Sequence, residues 1–242
     1  MKDTTPQDRE IITCLIKLLA TRTGAYLPRS ALSRLSTFLN YLYTGRWMKE
    51  HQFSPGVRVR GPVELTQQVT KSIADEEVLY LEFGVWKGDS MRRWSKLLRN
   101  RASRLHGFDS FEGLPEQWDD HSRTGLPLRK GHFSTHGVLP RILDTRVKFF
   151  KGWFEETLRK YDFVDSPVIV IFLDADLYSS TSYVLKTLRP HVKIGTIICF
   201  DDFWDPQHEQ RAFEEFLGET GMKFELMVAD YGMRHVAFKR IG

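Results

Sequence analysis

Two apolar runs in this chain stop abruptly in pairs of carboxylates. Pro167-Val-Ile-Val-Ile-Phe-Leu173 runs into Asp174-Ala-Asp176, and Gly195-Thr-Ile-Ile-Cys-Phe200 runs into Asp201-Asp202. Unbroken β-branched and aromatic runs of this length read as strands buried on both faces, the kind a parallel sheet makes. Ligands of open α/β sheets bind outside the carboxyl ends of the strands, so the four aspartates share a functional rim. A lone aspartate there commonly caps the next helix, but capping does not need Asp201 and Asp202 together. Two unit charges about 4 Å apart repel by about 4 kcal/mol at an effective dielectric of about 20, which makes a cation the natural companion of such a group. Oxygen donors without a neighbouring Cys or His select a hard ion, Mg²⁺ or else Mn²⁺ or Ca²⁺, over zinc. Asp174, Asp201 and Asp202 are the expected metal ligands. Asp176 is expected to orient a ligand, to cap the helix at Ser179 or, like Asp174, to accept a proton.

A second constellation precedes these. Leu81-Glu-Phe-Gly-Val-Trp-Lys-Gly-Asp-Ser90 places glycines where backbone can approach a ligand at a helix N-terminus, whose amides favour an anionic group. The spacing is E-x-G-x-x-x-G, not the dinucleotide fingerprint, and Glu82 would repel a pyrophosphate. It suits a zwitterion that carries an ammonium or sulfonium, with Gly84, Gly88 and Ser90 around the carboxylate. Asp109, with Ser110, ends Gly107-Phe-Asp-Ser-Phe111, where a ribose diol is hydrogen-bonded in doubly wound folds; a helix cap is the plainer use of the same residue. Gly152, Trp153 and Phe154 stand on the same rim and suit the edge and face of an adenine.

Around these motifs strand and helix patterns alternate from Val78 onward: strands at 78–83, 104–109, 147–151, 168–173 and 196–200, each followed by a helix or long connection. Two closing strands, 223–229 and 235–239, flank Asp230-Tyr-Gly-Met233 and read as a hairpin, so one edge is expected to be antiparallel. Such alternation predicts an α/β fold: a doubly wound, Rossmann-like sheet, mostly parallel, with an antiparallel C-terminal hairpin. Residues 110–145 are too long for an ordinary connection and hold Gly113, Pro115, Gly125, Pro127, Gly131 and Gly137, as a lid or binding loop does. Residues 1–75 read as an N-terminal helical extension for acceptor or oligomer contacts, and 76–242 as the main domain. Helical stripes run over 8–20 and 30–48, with Ser30 as N-cap; Gly45 and the segment 51–62 look like a break and a crossing loop, and a short helix covers 63–74.

At 242 residues, 41% hydrophobic and 27% charged, the chain suits one ordered α/β domain with an extension. Ten of its 35 Lys and Arg but only four of its 31 Asp and Glu lie in residues 1–60. Those cations are dispersed and no stacking motif accompanies them, so nucleic acid is not the expected partner. No run is long enough to span a membrane, and Met1-Lys-Asp-Thr-Thr5 lacks the apolar core of a signal peptide. Cys14, on an apolar helix face, and Cys199, in a buried strand, read as reduced packing residues, which points to the cytoplasm.

The motifs Glu82–Ser90, Gly107–Pro115, Lys151–Leu158, Leu173–Tyr178 and Asp201–Phe203, in this order, resemble the macrocin-type (TylF-like) sugar O-methyltransferases. These are class I, S-adenosylmethionine-dependent enzymes of macrolide and aminocoumarin pathways. The resemblance implies that Glu82, Gly84 and Ser90 hold the methionine part of that cofactor, that Asp109 holds the ribose, and that Gly152, Trp153 and Phe154 edge the adenine. Asp174, Asp201 and Asp202 would carry Mg²⁺, in a layout that also resembles catechol O-methyltransferase. Where the catechol enzymes have a lysine base this chain has Leu177, Phe203 replaces a frequent tyrosine, and the first 75 residues match poorly.

The expected reaction is methyl transfer to a sugar hydroxyl of a glycosylated small molecule; a phenolic or catechol acceptor, or a nucleotide-binding module without catalysis, is the alternative. Proton removal falls to Asp174, Asp176 or His208, with His132 and His136 as further candidates. Phe111, Trp118, Phe133 and Trp204 are candidates to cover the acceptor. The N-terminal helices suggest a homo-oligomer, a dimer or higher. A dinucleotide oxidoreductase is disfavoured by Glu82 and the missing third glycine.

Overall fold

The computed structural model describes residues 6–118 and 127–242; Gly125 and Met1–Thr5 lie outside the described residues. The chain divides into a smaller unit, residues 1–39 with 119–127, and a larger one, residues 40–118 with 128–242. Two long helices open the chain, α1 (Pro6–Gly24) and α2 (Arg29–Glu50). The larger unit then adds β1 (Val57–Val59), α3 (Pro62–Thr70), β2 (Val78–Phe83), α4 (Asp89–Leu97), β3 (Arg104–Asp109), β4 (Val147–Lys151) and α5 (Phe154–Leu158). It closes with β5 (Val168–Leu173), α6 (Tyr178–Leu188), β6 (Ile197–Phe200), α7 (Glu209–Thr220), β7 (Phe224–Asp230) and β8 (Val236–Arg240).

Eight strands make one sheet in the order β1-β7-β8-β6-β5-β2-β3-β4. All neighbours are parallel except the pairs that β8 makes with β6 and β7. The antiparallel hairpin expected from the sequence is therefore present, but not at an edge, because β1 pairs with β7 through Val57, Arg58 and Val59. Those three residues fall in what the sequence reads as a crossing loop. Three residues carry too little pattern to announce a strand, and their partner is more than 160 positions away.

Alternation along β2 sets the two layers. Leu79, Leu81 and Phe83 pack with α5, α6 and α7, including Leu158, Val184, Leu185, Phe213 and Phe216. Val78 and Tyr80 pack the opposite way, with Leu65 and Val69 of α3 and Met91 and Trp94 of α4. Gly45 does not end a helix: α2 runs through it to Glu50. There Thr44 Oγ1 donates to the carbonyl of Trp204 at 3.2 Å and Trp47 packs edge-on to Phe203, contacts that outweigh the local cost of a glycine. Ser30 lies within the first turn of α2 and does not cap it. Cys199 is buried as expected, whereas Cys14 is exposed.

The chain moves outward from β2 to β3 and β4, then returns to place β5 on the other side of β2. That reversal opens a crevice at the carboxyl ends of β2 and β5, the place where doubly wound sheets bind ligands. Backbone bonds carry the ladder past each strand end: Asp174 N to Phe83 O at 2.9 Å, Asp201 N to Leu173 O at 3.0 Å, and Gly84 N to Phe108 O at 3.0 Å.

Candidate active site

The glycine loop after β2 is pressed against the acid cluster. Gly84 has φ +93°, and a Cβ there would lie 1.8 Å from the carbonyl oxygen of Asp174. At Gly88, φ +77°, a Cβ would meet Pro140 at 2.9 Å. Both glycines thus serve close approaches within the chain, before any ligand is considered. Asp109 ties the loop down: Oδ2 accepts the amides of Val85 at 2.8 Å and Trp86 at 2.7 Å, while Oδ1 accepts that of Phe111 at 2.6 Å. Residues 110–118 form no helix, so Asp109 caps none; it pins the glycine loop and its own turn instead, and since a carboxylate has about four acceptor positions it keeps room for one further donor. Ser110 Oγ accepts the amide of Glu112 at 3.1 Å.

Glu82 is wholly buried, and Tyr80 donates to its Oε2 at 2.8 Å. Burial pushes its carboxyl up to about 8, against the lowering effect of the Tyr80 bond. Ser90 Oγ stands 3.4 Å from the Tyr80 hydroxyl. Gly152 donates its amide to Asp109 O at 3.0 Å. Of the two aromatics beside it, Phe154 packs edge-on to Phe83 as part of the core margin. Trp153, half-buried and outside the core, is the one that remains to offer a face.

Asp174, Asp176, Asp201 and Asp202 gather at the ends of β5 and β6. Asp174 and Asp176 are half-buried, and Asp176 holds φ +59°, a left-handed conformation that costs a non-glycine residue about 1 kcal/mol or more. Burial, then Asp201, Asp176, Asp202 and Glu209, push the Asp174 carboxyl well above the usual range. Burial raises Asp201 also, partly offset by His235. Glu209, fully buried at the start of α7, accepts the Asp202 amide on Oε2 at 3.0 Å; burial and then Asp202 hold its carboxyl well up. Two basic side chains face this crowd. Arg234 Nε lies 2.6 Å from Asp202 Oδ1, and His235 Nε2 lies 3.4 Å from Asp201 Oδ1 while its Nδ1 meets Asp230 Oδ2 at 2.6 Å.

Arg234 and His235 relieve Asp202 and Asp201 in part, but Asp174 is left with repulsion from its acidic neighbours, and carboxylate oxygens so placed fit a hard divalent cation. Among the described residues, though, no three His, Cys, Asp or Glu side chains are already gathered to hold one. Arg234 occupies Asp202, so an ion on all three aspartates requires that side chain to yield.

The long connection reaches this rim. Trp118 pairs with Leu128 in an isolated bridge, packs with Leu114 and Leu177, and meets His208 edge-on at 6.1 Å. Phe133 stands over Trp86 of the glycine loop at 5.6 Å, with His132 against it at 4.4 Å. His136, at φ +53°, donates its amide to Ser134 Oγ within the same connection. Phe111 and Trp204 are core residues, 1% and 3% exposed. Sequence reasoning missed Tyr80, Glu209, Asp230, Arg234 and His235. Tyr80 had a signal, since residues two apart on a strand share a face with Glu82; Arg234 and His235 had none, lying in a hairpin whose position beside β6 is set by tertiary pairing.

Fold, switch-point crevice and acid rim together define a doubly wound α/β protein of the methyltransferase type. Residues 63–240 match the model of the macrocin O-methyltransferase (TylF) family, and the chain belongs to that family. It is 34% identical over 141 residues to a 4'-O-methyltransferase of a rhamnosyl tetracenomycin C from Streptomyces olivaceus, covering 51% of this chain and 52% of that one. It is 28% identical over 170 residues to mycinamicin III 3''-O-methyltransferase from Micromonospora griseorubida, covering 62% of this chain and 64% of that one. The matched region thus spans from about half to just under two thirds of these curated relatives. Among solved structures the fold is shared with CalS11, a calicheamicin methyltransferase, at a TM-score of 0.54 and 24% identity over 100% of this chain and 95% of that one. The O-methyltransferase NovP matches at a TM-score of 0.52 and 24% identity over 74% of this chain and 78% of that one.

Proposed function

We propose that this protein is an S-adenosylmethionine-dependent O-methyltransferase that acts on a sugar hydroxyl of a glycosylated small molecule, with Mg²⁺ on Asp174, Asp201 and Asp202. The observation that carries the reading is the contact of Gly84 with Asp174: the loop suited to a sulfonium-bearing zwitterion and the acid cluster suited to a chelated acceptor are contiguous. Family membership supports it, as does the relative named for a rhamnosyl 4'-O-methylation.

Bound S-adenosylmethionine supplies an electrophilic methyl carbon, and a bound divalent ion lowers the pKa of a chelated hydroxyl. The work of the chain is positioning. Glu82 offers Oε1 to the ammonium of the methionine part, Asp109 offers its remaining lone pair to the ribose, and Trp153 offers its face to the base. Asp176 accepts the hydroxyl proton on a carboxylate oxygen; its strained backbone at the end of β5 is what one finds where a side chain is held for use. Trp118, Leu177 and His208 wall the acceptor side and exclude water.

Turnover of glycoside acceptors, followed by mass spectrometry as a gain of one methyl group, tests the reading. Asp202→Asn is expected to abolish turnover and leave S-adenosylhomocysteine binding within about threefold. Full activity in excess EDTA contradicts the metal role, and no transfer to any glycoside while catechols are methylated contradicts the acceptor.

The partner of α1 and α2 is a second copy of this chain. Ile11, Ile12, Leu15, Ile16, Leu18 and Leu19 of α1, and Leu32, Leu35, Phe38, Leu39 and Leu42 of α2, are all exposed. Together they offer on the order of 1,000 Å² of apolar surface, more than a monomer commonly leaves bare and about what each side of a stable dimer buries. No helix among the described residues is long and apolar enough to cross a membrane. The free cysteines, one of them buried, suit a reducing cytoplasm.

A further inference from the structure

The strand that delivers Glu82 carries a polar residue that the reaction, as read so far, does not use. Within Val78-Leu-Tyr-Leu-Glu-Phe83 every side chain is buried, and Tyr80 is 0% exposed. Its ring is stacked on Trp94 at 4.6 Å, as any large core residue's would be. Its hydroxyl is another matter: a buried phenol needs a partner, and this one donates to Glu82 Oε2 at 2.8 Å with Ser90 Oγ at 3.4 Å. Glu82 is left with one oxygen satisfied and the other, Oε1, buried without a hydrogen-bond partner. An unpartnered buried acceptor costs about 1–3 kcal/mol, and more when charged. Such a cost is recovered when a ligand brings the missing donor.

We propose that Tyr80 is a positioning residue for the methyl donor: by holding Oε2, it presents Oε1 of Glu82 as the acceptor for the donor's ammonium group. This rests on the proposed S-adenosylmethionine reading and extends it to a residue that touches no ligand. The hydroxyl acts in two ways. It fixes the carboxylate about its last torsion, and it favours the ionised form, which alone attracts a cation. The other groups that bear on Glu82 are Asp109 and Asp201, which oppose ionisation, and Arg93 of α4, which favours it; Ser90 and Cys199 face Tyr80 itself. Because the Tyr80 bond lowers the Glu82 pKa from what burial alone would set, its removal moves the carboxylate further towards the neutral form at pH 7.

Tyr80→Phe keeps the ring and its stack and deletes only the hydroxyl. Calorimetry of the full-length protein with S-adenosylhomocysteine is expected to show about tenfold weaker binding at pH 7. The rise of affinity with pH should be displaced upward relative to wild type, so that part of the loss is recovered near pH 9. Steady-state assays should show the loss in KM for the donor, with kcat within about twofold. Glu82→Gln should weaken binding and flatten its pH dependence, and in that background Tyr80→Phe should add little; a full further loss there would show that the hydroxyl does not act through Glu82 and overturn the proposal. Unchanged affinity and pH dependence in Tyr80→Phe, whatever its melting temperature, would reduce Tyr80 to a packing residue and overturn the proposal. Failure of the wild type to bind S-adenosylhomocysteine overturns the parent reading instead, and is told apart by that control.

Discussion

Arg234 reaches Asp202 from the turn between β7 and β8, with its Nε 2.6 Å from Oδ1, and so places a cation where the sequence placed a metal ligand. Asp202 is 6% exposed at its side chain and Arg234 31%. Breaking a buried pair by removing one partner strands the other charge, and the partial exposure of Arg234 softens that cost. Arg234→Met is expected to destabilise the protein by about 2 kcal/mol in EDTA. Millimolar Mg²⁺ should restore part of this, since the ion takes over the neutralisation of Asp202. Thermal denaturation with and without Mg²⁺ measures both, and a variant as stable as wild type in EDTA sinks the idea.

The acid cluster also fixes how stability depends on pH. Asp174, Asp201, Glu82 and Glu209 all have carboxyls raised on folding, Glu82 to about 8. The folded state therefore binds more protons than the unfolded one between the ordinary carboxylate range and about pH 8, and stability falls as pH rises through that window. Asp144, held low by its hydrogen bonds from Arg146, works the opposite way: its contribution is present above about pH 4 and lost below. In EDTA the melting temperature should peak at about pH 5 and decline to pH 8, with Glu82 alone accounting for a stability loss on the order of 3 kcal/mol. A melting temperature that climbs steadily to pH 8 would contradict the raised carboxyls.

The strands and helices from Val78 onward were legible because each is a local pattern: an apolar run or a 3.6-residue stripe ended by Asp, Gly or Ser. The rim was legible for the same reason, since parallel strands bring their carboxyl ends to one edge whatever their order. What the sequence could not show depends on order. That β8 lies between β6 and β7 brings Arg234 and His235 to Asp202 and Asp201, and nothing in the spelling of the 230–235 turn announces it. The continuation of α2 through Gly45 is likewise tertiary, fixed by Thr44 and Trp47 against Trp204 and Phe203. The glycines were legible as glycines, yet the first thing each accommodates is Asp174 or Pro140, not a ligand.

Two glycines with similar backbone conformations separate that packing role from simple strain. Gly195 has φ +90° with nothing within 4 Å of a Cβ, whereas at Gly84, φ +93°, a Cβ would meet the Asp174 carbonyl at 1.8 Å. Gly195→Ala should cost about 1–2 kcal/mol, the penalty of the left-handed region. Gly84→Ala should cost more than about 3 kcal/mol, because backbone and not a flexible side chain must move. It should also abolish S-adenosylhomocysteine binding, by shifting the loop from Asp174. Melting curves and calorimetry on the two variants decide it, and equal losses would mean that the loop and the end of β5 are not in contact.

The apolar face of α1 supplies the last test. Ile12, Leu15, Ile16 and Leu19 recur at helical spacing and stay 47%, 59%, 63% and 68% exposed. Most helical stability in proteins comes from packing of an apolar face, and burying that stripe against a second copy would stabilise α1 at roughly 25 cal/mol per Å². Sedimentation equilibrium should find the protein at twice its 28.3 kDa chain mass. Leu15→Asp with Leu19→Asp should return it to the monomer, because two carboxylates on each copy would be driven into the apolar contact, and should also lower the helix content measured by circular dichroism. The exchange leaves the acid rim and the glycine loop untouched, so binding of S-adenosylhomocysteine should persist and show that the larger unit is still folded. A wild-type monomer overturns the dimer, and so does a monomeric chain that sediments with anionic lipid vesicles, since the stripe would then serve a membrane surface.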